Sequence, residues 1–293
     1  MIILNNPNNP LGKVWSQAEL EKLAEICIRR DILCISDEVY EHLVYAPQKM
    51  IRIASFPGMW ERTITIGSAG KTWSATGWKI GWAYGPQELI NPMHVVWQNS
   101  IYTAATPLQE ACARAFKTEM SKPFDGHPKG KVQIYLDISI FLCHGNVTNL
   151  TLKKDNPDSY FRSLCEDELR PKKEKMTQIL QDVGLNPIVP DGGYFMIADM
   201  TPLKKFIDEK ELDSTNDPWD YKGKFYHYSN SSNIIHFQVV RWLCEKYKIA
   251  TIPNSAFYST GHKKNYEKYI RFCFAKDDNT LDQFGEEMRR HFS

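Results

Sequence analysis

Residues 31–38 read Asp31-Ile32-Leu33-Cys34-Ile35-Ser36-Asp37-Glu38, an apolar run of strand length that stops on two carboxylates. A short continuous run of this kind suits a strand covered on both faces. Toward the N-terminus, Ser16 and Glu19 make a capping-box pair, and Leu20, Leu23, Ala24 and Cys27 follow at helical spacing. Arg29 and Arg30 close that helix, where the dipole favours cations. Before it, Met1 to Leu4 reads as a strand and Asn5 to Gly12 as a loop with two Asn-Pro steps. Toward the C-terminus, Arg62 to Gly67 is a further short strand. Strand, helix and strand in alternation predict an α/β fold with mostly parallel strands. Three polar clusters, Asn8-Asn9, Asp37 and Ser68 to Lys71, follow these strands, and open α/β sheets hold ligands at strand ends.

Farther along, Gly77 to Gly85 reads as a strand with close backbone approaches, and 87–98 and 106–117 as helices. Asp158 to Val183 predicts a long helix joining two domains. Tyr194 to Ile197, Ala250 to Pro253 and Tyr269 to Phe274 read as strands, 237–246 and 280–290 as helices, and 222–236 as an aperiodic loop. The expected division is 1–157 for a large domain and 158–293 for a C-terminal α+β small domain that includes the linking helix. A chain of 293 residues has room for both.

Hydrophobic residues make up 42% of the chain, and 36 basic residues face 35 acidic ones for a net charge of +1. That balance excludes wholesale disorder. It gives no basic excess for a nucleic acid backbone, and no apolar run reaches the ~18 residues a membrane span needs. Seven scattered cysteines without a CxxC pair predict reduced thiols, a cytosol-like compartment and no metal site. The opening Met1-Ile2-Ile3-Leu4-Asn5-Asn6-Pro7 lacks the basic region of a signal peptide.

Five positions invite chemistry. Lys71, in Ser68-Ala69-Gly70-Lys71-Thr72, follows a strand among small residues; it suits an inert surface amine or one that condenses with an aldehyde. Asp37 ends a core strand; it suits a helix cap or a carboxylate that keeps a cationic ring nitrogen protonated. Tyr40 and Asn9 could each donate a hydrogen bond to a ring oxygen, although tyrosines at such spacing also fill cores. Arg271, between Ile270 and Phe272, suits a solvated position on an alternating strand or the capture of a carboxylate.

The blocks Pro7-Asn8-Asn9-Pro10-Leu11-Gly12-Lys13, Ser36-Asp37-Glu38-Val39-Tyr40-Glu41, Ser68-Ala69-Gly70-Lys71-Thr72, Gly77-Trp78-Lys79-Ile80-Gly81-Trp82 and Val189-Pro190-Asp191-Gly192-Gly193-Tyr194-Phe195 stand in this order. Together they resemble the fold-type I pyridoxal phosphate aminotransferases, and within them the kynurenine aminotransferases, also known as cysteine-S-conjugate β-lyases or glutamine transaminases. The resemblance implies pyridoxal 5'-phosphate as cofactor, amino acids and 2-oxo acids as substrates, and a homodimer. It implies that Lys71 bonds the cofactor aldehyde and moves the α-proton, Asp37 pairs with the ring nitrogen, and Asn9 and Tyr40 hydrogen-bond the ring oxygen. Ser68 and Lys79 are implied to hold the phosphate. Arg271 is implied to grip the substrate carboxylate beside Asn9, with Tyr102 and Tyr258 as further pocket candidates. It also implies that Met1 falls inside the family's large domain, so that a phosphate-binding turn and a ring-stacking aromatic lie outside this chain. About 121–155 and 222–237 interrupt the family-like sequence as two atypical insertions. A non-catalytic partial chain that associates with a full-length homologue is the alternative expectation.

Overall fold

The computed structural model describes residues 1–121, 158–206, 234–259 and 261–293. The expected insertion at 121–155 lies outside the described residues apart from Ser121, and that at 222–237 apart from the backbone of 234–237. The chain divides into two compact units. One comprises Met1–Asn9, Lys13–Glu168 and Asp191–Gly193; the other comprises Pro10–Gly12, Leu169–Pro190 and Tyr194–Ser293.

The first unit is built on a four-stranded sheet in the order β1 (Ile2–Asn5), β2 (Cys34–Asp37), β3 (Thr63–Ser68) and β4 (Gly81–Tyr84). The first three strands are parallel and β4 runs antiparallel to β3. Between β1 and β2 lies α1 (Gln17–Arg29), started by the expected capping box. Ser16 Oγ accepts from the Glu19 N–H, and Glu19 Oε2 accepts from the Ser16 N–H at 2.9 Å. Leu20, Ala24 and Cys27 of α1 pack with Leu4, Cys34, Ile53 and Met59 in one buried cluster. Alternation in the pleat then sends Leu4 and Ser36 to one face and the register pair Asn5 and Asp37 to the other.

After β3 comes the single turn α2 (Ala69–Thr72), and α3 (Gln87–Ser100) and α4 (Thr106–Ser121) follow β4. The strand expected over Gly77 to Gly85 begins only at Gly81. Thr76–Trp78 form a 3-10 turn, and Lys79 takes a left-handed conformation at φ 57°, which no strand residue can hold. The glycine at 67 is demanded by packing, because a Cβ there would sit 2.0 Å from Nε1 of Trp82.

The expected helix over 158–183 is a helical run in three pieces: α5 (Tyr160–Arg162), a π-helical stretch Ser163–Leu169, and α6 (Arg170–Asp182). Pro171 accounts for the irregularity, since it offers no N–H to the preceding turn.

The second unit has an antiparallel sheet in the order β5 (Asn186–Ile188), β6 (Phe195–Asp199), β8 (Tyr269–Cys273) and β7 (Ile252–Pro253). Its helices are the α6 segment, α7 (Ile234–Tyr247) and α8 (Asp278–Phe292). Residues 234–236, expected in a loop, already belong to α7. β5 was not legible as a strand because it contains Pro187, which an edge position tolerates. Met176, Ile179 and Leu180 of α6 and Leu281, Met288 and Phe292 of α8 are buried in this unit.

Candidate active site

Asn5, Asp37 and Ser68 are the last residues of β1, β2 and β3, so the three parallel strands end side by side on one rim. Because β4 is antiparallel, its first residue, Gly81, pairs with Ser68 and brings the preceding Lys79-Ile80 to that same rim. The Ala69 N–H donates to the Ile80 carbonyl at 3.0 Å and fixes the approach. Lys71 follows one turn beyond Ser68, in α2. Asn9 lies in the loop after β1, its N–H donating to Asn5 Oδ1 at 2.7 Å, while Asn5 Nδ2 donates to the Asp37 carbonyl at 3.2 Å. Thus Asn9, Asp37, Tyr40, Ser68, Lys71 and Lys79 all gather where an open α/β sheet offers a ligand site.

The Tyr40 ring is buried, and Lys71 Nζ stands 5.9 Å from its centroid. Asp37 is half-buried, and burial raises its carboxyl above the ordinary range, opposed by the Val39 N–H donating to Oδ1 at 3.3 Å. Among the described residues no cation forms an ion pair with Asp37. A carboxylate in that state suits a positive charge brought by a bound molecule, and the Lys71 amine stands on the same rim. The residues present therefore fit pyridoxal phosphate at its ring nitrogen and its aldehyde.

α2 is held from behind by aromatic packing. Trp73 meets Phe116 at 5.0 Å and Phe161 at 4.9 Å between ring centroids, and Phe161 stacks on His42 at 3.9 Å. Gly70 is a close approach as well, since a Cβ there would lie 3.0 Å from Cα of Thr76. Tyr102 stands just after α3, 76% exposed and at φ 72°.

Arg271 and Tyr258 belong to the second unit. Arg271 is half-buried on β8, its guanidinium carbon 3.9 Å from the Phe195 ring centroid and 4.8 Å from that of Phe257. Both rings lie within cation–π distance of the guanidinium. Tyr258 stacks on Tyr266 at 3.7 Å, and burial raises its phenol.

Sequence reasoning missed a buried polar network behind the rim. Arg52 donates through Nη1 to Glu38 and through Nη2 to Glu41, and Nη1 also donates to the Tyr84 hydroxyl at 3.1 Å. The signal was present in Ile51-Arg52-Ile53, an arginine inside an apolar run like that of Arg271.

Residues 1–125 match the family described as aminotransferase class I and II. The chain is 46% identical over 281 residues to human kynurenine–oxoglutarate transaminase 3, covering 96% of this chain and 51% of that protein. It is 37% identical over 289 residues to human kynurenine–oxoglutarate transaminase 1, covering 99% of this chain and 57% of that protein. Among solved structures, N-succinyldiaminopimelate aminotransferase from Mycobacterium tuberculosis superposes with a TM-score of 0.71 at 31% identity, over 98% of this chain and 57% of that one. YbdL from Escherichia coli, a methionine aminotransferase, superposes with a TM-score of 0.69 at 25% identity, over 98% and 57%. The chain spans about half the length of the curated relatives it matches. Among its described residues no helix is long and apolar enough to cross a membrane, and no group of three or more His, Cys, Asp or Glu could hold a metal.

Proposed function

We propose that the chain carries out pyridoxal phosphate-dependent transamination between an amino acid and a 2-oxo acid. The donor class is kynurenine, glutamine or another aromatic or sulfur amino acid, and β-elimination from cysteine S-conjugates is a side activity. The observation that carries this reading is the rim itself, with Lys71 beside Tyr40 and with Asp37 at the end of the adjacent strand. Pyridoxal phosphate, when bound, supplies an aldehyde for an amine and a cationic ring that withdraws electrons from the substrate α-carbon.

The chain's own residues divide the remaining work. Lys71 Nζ would hold the aldehyde carbon and, once displaced by substrate, carry the α-proton. The Asp37 carboxylate would keep the ring nitrogen protonated. Tyr40 and Asn9 would donate to the ring oxygen, and Ser68 and Lys79 would take the phosphate. Arg271 would bind the substrate carboxylate through its N–H edge, with Tyr102 and Tyr258 as pocket walls. A homodimer and a cytoplasmic compartment, with a mitochondrial one as the alternative, belong to the same proposal.

The test adds pyridoxal phosphate to the purified chain, follows its absorbance, reduces with borohydride and maps the labelled peptide. A label on Lys71 is expected; a label elsewhere, or none, overturns the reading. A second reading is a non-catalytic partial chain that associates with a full-length homologue. Its support is the half-length match, together with β1, which lies at the edge of the described sheet with Ile3 67% exposed. Absence of cofactor binding together with co-purification of a homologue would favour it.

A further inference from the structure

We propose that Arg52 is a positioning residue for the candidate site, clamping the turn Glu38–Glu41 from behind so that Tyr40 stays against Lys71. The inference deepens the reading above and rests on it.

The geometry is a two-pronged hold on one turn. The Glu41 N–H donates to the Glu38 carbonyl at 2.9 Å, and the Leu43 N–H donates to the Tyr40 carbonyl at 2.8 Å. The Glu38 N–H donates to the Ile66 carbonyl at 3.0 Å and ties the start of the turn to β3. The side chains at its two ends, three residues apart, meet the two prongs of one guanidinium. Tyr40 lies between these anchors, 3% exposed, with its ring 5.9 Å from Lys71 Nζ. The hold is also braced on the far side. Ser36 Oγ donates to Glu38 Oε1 at 2.8 Å, Tyr84 accepts from Arg52 at 3.1 Å, and His42 Nε2 lies 3.5 Å from Glu41 Oε1.

The chemistry favours a positioning role over simple stabilisation. Glu38 is 1% exposed, and burial pushes its carboxyl up to about 7 against the pull of Arg52. Burial is the largest influence on Glu41 and pushes its carboxyl up, but the Arg52 charge, the neighbouring His42 and the hydrogen bond from Arg52 together hold it below its ordinary range. Buried ion pairs return little net stability, because desolvation offsets their attraction. Their attested use is to impose one arrangement on the chain, and here the arrangement imposed is that of the segment carrying Tyr40. The planar fork meets the two carboxylates through two separate nitrogens in one fixed geometry, which the single point charge of a lysine ammonium does not reproduce.

The experiment compares Arg52→Lys, Tyr40→Phe and the double variant with the parent chain. Amide hydrogen exchange needs no cofactor. In Arg52→Lys the Glu41 and Leu43 amides should exchange about tenfold faster, with the Ala24 amide of α1 unchanged. With pyridoxal phosphate added, Arg52→Lys should shift the pH midpoint of the bound cofactor's absorbance in the same direction as Tyr40→Phe. It should add no further shift in the Tyr40→Phe background. A purely structural arginine would lower the melting temperature and leave that midpoint where it was. Unchanged exchange at Glu41 and Leu43, an unchanged midpoint, or shifts that simply add would each overturn the proposal. Failure of the parent chain itself to take up the cofactor at Lys71 would overturn the transamination reading, and the role of Arg52 with it. If Arg52→Lys does not fold, Glu41→Gln removes one prong alone and carries the same expectations at smaller size.

Discussion

Asp37 shows how one residue's surroundings set its chemistry. Its carboxylate stands on the face opposite Ser36, half-buried, with the Val39 N–H as its described partner, and burial raises its carboxyl. A cationic ring nitrogen would relieve that penalty, and removing the charge should therefore be felt in binding. Asp37→Asn is expected to weaken pyridoxal phosphate binding by about ten- to a hundredfold, the scale of a charged hydrogen bond of ~1.5–3 kcal/mol. An absorbance titration measures it. The pH dependence has a definite sign. Binding needs the ionised carboxylate, and the free site holds its proton more tightly than an ordinary Asp. Affinity should thus fall with decreasing pH through a midpoint above the usual aspartate value of 3.8, and the Asn variant should lose that acid limb.

The elements carry the site because short strands end together. In β3 the close approach of β4 leaves no room for a side chain at Gly67, since a Cβ would lie 2.0 Å from the Trp82 indole. Gly67→Ala should force β4 outward, lower unfolding free energy by about 1–3 kcal/mol and alter tryptophan fluorescence, with thermal and denaturant melts as the check. Much of this level was legible in the sequence. The apolar runs read over Met1–Leu4, Asp31–Ser36 and Arg62–Gly67 and the Ser16–Glu19 cap are local signals, and local signals gave β1, α1, β2 and β3 to within a few residues. The candidate residues at strand ends were legible for the same reason. What escaped was either locally contradictory or non-local. Pro187 hid β5, the left-handed Lys79 displaced the start of β4, and Pro171 broke the regularity before α6. The Arg52 clamp joins residues 11, 14 and 32 positions away in the chain, a partnership no periodicity records.

At the scale of the molecule, the first unit is not a continuous stretch of chain. Asp191–Gly193 return to it from residues of the second unit. There the Tyr45 N–H donates to the Asp191 carbonyl at 2.8 Å, the Gly193 N–H to the Leu43 carbonyl at 2.7 Å, and the Tyr45 hydroxyl to the Gly193 carbonyl at 2.8 Å. Tyr45 is 1% exposed, so losing these partners would leave buried polar groups unsatisfied at about 1–3 kcal/mol each. A chain cut after Glu168 should therefore melt broadly and at lower temperature than the whole, as followed by circular dichroism. The same return of the chain sets a timetable for synthesis. A nascent polypeptide halted at Ser121 would already hold every rim side chain, yet would still lack the late residues that cap Leu43 and Tyr45. Until Gly193 has been made, the Leu43 carbonyl and the Tyr45 amide and hydroxyl lack these partners.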